Sequence, residues 1–319
     1  MPENIELAES LHNDCADSLT TLVPIREVAR LTGVNPVTLR AWERRYGLIQ
    51  PTRTESGHRL YSVSDIEAIR SILGWIARGV PVSKVGKILA RSQATQALSK
   101  IIPDKWVQAD YAQWQGQIRA ALVNYDDLEL ARIYGQVFST YALTVVFQDI
   151  FMPVWTQALQ QKDLFGRTSE WVMLNAFLRT RVMQRLMMAR GTARAQVAVA
   201  AIDGHCQELE LLLAGLYLSG QDTSVRILAL GKPFDELTLV CEKIQPQALV
   251  LVSNRAPASD FTRRLNRLAM SVDCRLLVAG TASDLAQDSL AGSSIGCLGN
   301  EGLEMRQRLR QFLGGTLDT

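Results

Sequence analysis

Three groups of residues in this 319-residue chain have the types and spacing to do chemistry. The first is a run of cations between positions 40 and 59: Arg40, Arg44, Arg45, Arg53, His58 and Arg59. Guanidinium groups at this density suit phosphate, which they grip with a rigid fork of N–H donors. The second is Asp203-Gly204-His205. An imidazole is a good transition-metal ligand, and a carboxylate two residues earlier can hold its second ring nitrogen and fix the tautomer. His12 and His58 sit far from it in the sequence. The third is a set of five cysteines, Cys15, Cys206, Cys241, Cys274 and Cys297, with no C-x-x-C pair among them. That scatter reads as reduced thiols, not as a zinc site or a disulfide frame.

The cations need a scaffold, and the segment 24–61 supplies one. Ile25, Val28, Ala29 and Leu31 recur at helical spacing until Gly33 breaks the pattern. Asn35, a good N-cap, and Pro36, favoured at the first helical position, restart a helix over 36–45 that Gly47 ends. Two short helices around a Gly-containing turn make a helix-turn-helix, the commonest device for seating a helix in the DNA major groove. Asn35, Val37 and Thr38, at the amino end of the second helix, are then placed to read base edges, and Arg40, Arg44 and Arg45 to meet phosphates. GLIQPTRTESGHRLY reads as a β-hairpin, a wing that brings Arg53, His58, Arg59 and Tyr61 to the same DNA. Ser64 and Glu67 suggest a capping box for a helix through Ile66, Ile69, Leu73 and Ile76, and a shorter helix is expected at 83–90. From 21 to 91 there are 12 Lys or Arg against 5 Asp or Glu, an excess of +7, whereas the whole chain carries +2. A basic head on an acidic body points to a polyanionic partner for the head alone.

Beyond a polar linker at 92–103, residues 104–191 show an unbroken helical pattern, with helices expected near 111–123, 127–141, 145–161 and 169–190. The third and fourth are rich in large apolar residues, among them Phe147, Ile150, Phe151, Trp155, Trp171, Phe177 and Leu178, and the four are expected to form a bundle. Over 195–315 the apolar runs VAVAAI, VRILAL, ALVLVS, RLLVA and SIGCL alternate with helical patterns at 208–218, 234–244, 260–271 and 301–313. This is the rhythm of a doubly wound, flavodoxin-like parallel sheet, whose ligands sit at the strand carboxyl ends. His205 follows the first of those strands. The expected fold class is therefore multidomain α and α/β.

TLRAWERRYGL, GHRLY and DIEAIR, in that order and spacing, resemble the winged helix-turn-helix of the MerR family. Within the family the likeness is closest to the MlrA and CarH type, in which this head is coupled to a cobalamin-binding-like tail. The resemblance implies a homodimer that reads an inverted repeat in double-stranded DNA, with RNA polymerase or a protein regulator as a further partner. Asp203-x-His205 likewise resembles the D-x-H-x-x-G motif of cobalamin-binding domains, whose histidine coordinates cobalt from below. That implies adenosylcobalamin or methylcobalamin, His205 as the metal ligand, and Asp203, Ser253, Gly280, Trp155 and Glu170 around the corrin. The chain departs from the motif in several places. Glu208 replaces its glycine, Ser253-Asn254-Arg255 its S-x-L, and Ala279-Gly280 its Gly-Gly. Trp155 is present, but Trp171, after Glu170, stands where an upper histidine would be. Two readings stay open for the tail: a cobalamin sensor or dimerisation module, and a degenerate domain, free of cobalamin, through which a protein partner acts.

A cobalamin-dependent enzyme built on this module would need a further catalytic domain, so a non-enzymatic regulator is expected. No run approaches eighteen apolar residues, which excludes a membrane span. The first twenty residues hold five acids and no Lys or Arg, the opposite of a signal peptide, and read as a disordered acidic tail on a cytoplasmic protein.

Overall fold

The computed structural model describes residues 22–54, 57–77, 79–83, 85–86, 105–189, 195–202, 206–231 and 234–315, with backbone only at 77 and 105–107. The acidic stretch 1–20, the linker and Asp203-Gly204-His205 lie outside the described residues. The chain divides into two compact units, Met1–Ser99 and Lys100–Thr319.

In the first unit, α1 (Ile25–Thr32) ends on Gly33 with φ 72°, a left-handed turn that leads straight into Asn35. The Asn35 Oδ1 accepts the Val37 N–H at 2.9 Å, and Pro36 opens α2 (Pro36–Ala41) as its composition predicts. The helix widens into a π-helical turn over Trp42–Tyr46 before Gly47 closes it. β2 (Thr52–Arg53) and β3 (Arg59–Tyr61) form the wing. A two-residue strand, β1 (Val23–Pro24), adds to the far edge of β3 and gives the order β1-β3-β2. Two residues carry no periodic signal, so β1 was not legible in the sequence. α3 (Val63–Ala77) starts earlier than the Ser64/Glu67 pair suggests. Its caps are Ser62, whose Oγ accepts the Asp65 N–H at 3.1 Å, and Asp65, whose Oδ2 accepts the Ser62 N–H at 2.8 Å. A shorter acid does the work expected of glutamate. Val28, Leu39, Trp42, Ile49, Tyr61, Ile69 and Ile72 form the buried core of the head.

The second unit begins with α4 (Lys105–Val123), α5 (Asp127–Thr140), α6 (Leu143–Val145), a π-helical turn (Val146–Phe151), α7 (Met152–Gln160) and α8 (Arg167–Met188). The Asp126 Oδ1 accepts the Glu129 N–H at 2.8 Å and starts α5. There follow β4 (Ala195–Ala201), α9 (Glu208–Leu218), β5 (Thr223–Ile227), α10 (Leu237–Ile244), β6 (Ala248–Val252), α11 (Phe261–Ser271), β7 (Arg275–Ala279), α12 (Thr281–Leu290), β8 (Gly296–Cys297) and α13 (Gly302–Gly314). The five strands are parallel, in the order β5-β4-β6-β7-β8, so the topological switch lies between β4 and β6.

Side chains alternate between two cores, as the period of a strand requires. Val197 and Val199 of β4, with Val250 and Val252 of β6, face α9, α13 and the helical bundle in one core. Ala198, Ala200, Leu249 and Leu251 face α10, α11 and α12 in the other. α9 is buried at Leu209 and from Leu211 to Leu218 because it lies between the sheet and α8, which explains why LLLAGLYL, after the two glutamates of the first turn, is apolar all round. The bundle and the sheet thus share one hydrophobic core, and the Gly302 N–H donates to Gln148 Oε1 across it at 3.2 Å. α12 was missed in the sequence. Its buried residues, Ala282, Ala286 and Leu290, recur every four positions but are mostly too small to register as an apolar stripe.

Candidate functional site

The head presents its amino-terminal helix edge to solvent. Asn35 is exposed, Val37 is 67 % exposed, Thr38 is half-buried, and Arg40, Arg44 and Arg45 are exposed. These three arginines make no ion pair among the described residues, which leaves their guanidinium groups available to phosphate. On the wing, Arg53 and His58 are exposed as well.

Glu43, on the π-helical turn, joins the two elements. Its carboxylate accepts Arg59 Nε–H at 2.5 Å and Arg59 Nη2–H at 3.3 Å, and it accepts Arg53 Nη2–H at 2.7 Å. The Arg59 contact, then the Arg53 contact, hold the Glu43 carboxyl below the usual carboxylate range against the opposing effect of burial. The same contact raises Arg59. Arg59, 17 % exposed, is therefore held by protein, while Arg53 keeps about half its side chain in solvent. Sequence reasoning missed Glu43. The signal was one acid inside an arginine-rich helix, which reads as a solvated charge until the wing is folded beside it. Tyr61 needs a correction. Expected at the DNA, it is 0 % exposed and belongs to the core of the head; its hydroxyl is buried with no hydrogen-bond partner among the described residues. The alternation of β3 turns Arg59 and Tyr61 to one side of the strand, and the aromatic ring goes inward.

In the second unit, the switch between β4 and β6 puts any strand-end ligand site beside residues 253–255, while Asp203 and His205 lie outside the described residues. The described residues there are engaged with one another. Ser253 is 0 % exposed, and its carbonyl accepts the Ala282 N–H at 2.9 Å. The Asn254 Oδ1 accepts the Thr281 N–H at 3.3 Å. Gly280 has φ 84° and ψ −167°, and a Cβ on it would meet Asn254 Oδ1 at 2.4 Å and the Ser253 carbonyl oxygen at 2.7 Å. The space beside this glycine is filled by protein. Glu208 is ion-paired with Arg179 of α8 at 3.1 Å. Trp155 is 1 % exposed and donates from Nε1 to Asn175 Oδ1 at 3.0 Å, inside the bundle core. Its ring lies 6.4 Å from that of Trp171. Glu170 is paired with Arg167 at 2.7 Å. The fold therefore brings Ser253 and Gly280 together, and Trp155 sits in the core rather than on a surface. Among the described residues no group of three or more His, Cys, Asp or Glu side chains could hold a metal, and no helix is long and apolar enough to cross a membrane.

Comparison with known proteins follows this architecture. Residues 23–92 match the family described as MerR HTH family regulatory protein. The HTH-type transcriptional regulator MlrA of Salmonella typhimurium is 39 % identical over 137 residues, which cover 42 % of this chain and 50 % of that protein. The match thus spans half the length of that relative. The HTH-type transcriptional repressor CarH of Myxococcus xanthus is 25 % identical over 255 residues, 78 % of this chain and 84 % of the other. Among solved structures, the monomethylamine corrinoid protein of Methanosarcina barkeri covers 60 % of this chain and 95 % of its own, at 12 % identity and a TM-score of 0.41. Residues 23–92 of this chain thus match a MerR-family helix-turn-helix domain, and behind them lie a helical bundle and a five-stranded parallel sheet.

Proposed function

We propose that this protein is a dimeric, sequence-specific DNA-binding regulator of transcription in the cytoplasm, with no enzymatic activity. One observation carries the reading: an exposed edge of α2 and its π-helical turn, with Val37 and three arginines that make no ion pair among the described residues, is held beside its wing by the Glu43 fork. A single short recognition helix touches few bases, so two copies on an inverted repeat supply the rest. Arg44→Ala tests the interface. Loss of a phosphate contact weakens binding to all sequences alike and lowers the salt slope by about 1. Unchanged affinity for random DNA would remove Arg44 from the interface.

For the tail we propose dimerisation and control by a protein partner, without cobalamin. The residues present do not suit a corrin. Glu208 puts a charged, ion-paired side chain where glycine would let a nucleotide tail approach, Asn254 fills the space beside Gly280, and Trp155 is committed to the bundle. The competing reading rests on the Asp203-x-His205 pattern. Both are tested by the visible spectrum of protein incubated in darkness with excess methylcobalamin or adenosylcobalamin and then desalted. A colourless protein supports the filled tail. A retained band that shifts in His205→Ala would establish a cobalt ligand and overturn it.

A further inference from the structure

One end of the helical bundle turns apolar side chains to water. Val123 closes α4, Tyr125 lies in the turn to α5, Leu128 is in the first turn of α5, and Leu164 and Phe165 lie between α7 and α8. All five are exposed, Leu128 to 85 % and Phe165 fully. Side-chain bonds show that the two turns share an end. Gln115 Nε2–H donates to the Asp149 carbonyl at 2.9 Å, and Arg119 Nε–H to Gln157 Oε1 at 3.1 Å, so α4 and α7 run the same way and finish side by side. The Trp155–Asn175 bond then ties the returning α8 to α7.

Both turns are fixed by their own backbone. The first is a Schellman motif: the Asp126 N–H donates to the Ala121 carbonyl at 2.9 Å and the Tyr125 N–H to that of Leu122 at 3.1 Å. Tyr125 takes its left-handed position, φ 52°, where glycine is the usual residue because it has no Cβ to clash. A strained, bulky and exposed residue at a helix end has its reason outside the fold of its own chain. In the second turn the Leu164 N–H donates to the Gln161 carbonyl and the Arg167 N–H to the Leu164 carbonyl, each at 3.0 Å, so Phe165 is held out rigidly and loses little freedom on binding.

We propose that this end of the bundle is the contact between two copies of the chain. The proposal rests on the dimeric reading above and names its surface. Charge selects a second copy as the occupant. Asp126 and Asp127 flank Tyr125 and Leu128, whereas Lys162 stands beside Leu164 and Phe165; none of the three makes an ion pair among the described residues. Arg132 and Arg167 are already paired with Glu129 and Glu170. A twofold axis sets the Tyr125 turn of one copy on the Phe165 turn of the other and brings Asp127 towards Lys162 twice, leaving Asp163 at the hydrated rim. Like turns set together would oppose the aspartates instead.

Sedimentation equilibrium of the full chain, without DNA, tests it. The wild type is expected to self-associate, and Phe165→Ser and Tyr125→Gly each to weaken association about tenfold or more. Asp127→Lys weakens it too, and Lys162→Asp in the same chain restores it. In the Phe165→Ser chain, adding Tyr125→Gly leaves the melting temperature unchanged or higher, since glycine suits the left-handed position. A monomeric wild type would overturn both this surface and the dimeric reading. A wild-type dimer that Phe165→Ser or Tyr125→Gly leaves equally tight would overturn the surface alone, as would a Tyr125→Gly that lowers melting in the Phe165→Ser chain.

Discussion

Replacing Gly280 with alanine separates a glycine kept for a ligand from one kept for the fold. At φ 84° and ψ −167° the backbone occupies a region open essentially to glycine alone, and a side chain there costs about 1–3 kcal/mol. The new methyl also falls 2.7 Å from the Ser253 carbonyl oxygen and 2.4 Å from Asn254 Oδ1. The carbonyl is fixed, since Ser253 O accepts the Ala282 N–H and Ser253 N donates to Ala279 O. Overpacking of this kind adds about 1–3 kcal/mol. Asn254 can swing aside, at a loss of about 1 kcal/mol for its bond to the Thr281 N–H. The sum is about 3–7 kcal/mol, which in a unit of this size lowers the melting temperature by roughly 15 °C. Urea unfolding of the full chain without added cofactor measures it. Asn254→Ala and the double variant complete a cycle with a coupling of about 1 kcal/mol, because only the side-chain overlap is relieved. A Gly280→Ala protein within about 0.5 kcal/mol of wild type would refute the reasoning, and the glycine would then be free to serve something not yet bound.

Glu43→Gln keeps the size of the side chain but removes the charge that faces Arg53 and Arg59. With this carboxylate only 15 % exposed, the head loses about 1–2 kcal/mol at neutral pH by thermal melting. Because the folded carboxyl is depressed, that difference is present above the ordinary glutamate range and vanishes as pH falls through the lowered value; a gap that persists at low pH would contradict the ion-pair account. Asp149 works with the opposite sign. Desolvation, then Glu301, push it up to about 6, so the folded state holds a proton that the unfolded state releases near 4, and stability falls as pH rises from about 4 to 6. Full burial would make this about 3 kcal/mol, but Asp149 is exposed, and solvent screening leaves about 1. Asp149→Asn is expected to gain that amount at pH 7 and to flatten the slope in this window; unfolding curves with an unchanged slope would exclude Asp149 as its source.

The parts of the fold that follow from chain-local rules were legible. Asn35-Pro36 opens α2 and Asp126 opens α5 because a cap needs only its own next few residues. β4, β6 and β7 were marked by uninterrupted apolar runs, since a central parallel strand is buried on both faces. What the sequence hid depends on partners distant in the chain. Glu43 acquires meaning only when residues 53 and 59 fold back on it. Tyr61 reads as a wing residue until its ring is seen in the core, and Trp155 reads as a ligand contact until Asn175 satisfies its indole. The two π-helical turns, Trp42–Tyr46 and Val146–Phe151, left no trace in apolar periodicity.

Beyond its first turn α9 has no polar side to turn to water, because the sheet lies under it and the bundle over it. The tail can therefore be exchanged between proteins only as one cassette. A recombination joint in the connection before β4 would leave the sheet with a naked strip of Leu209, Leu212, Leu213 and Leu216, and the bundle with an uncovered α8. A joint ahead of α4 divides no hydrophobic core of the tail. Shuffling of heads and tails in proteins of this build is thus confined by packing to one seam.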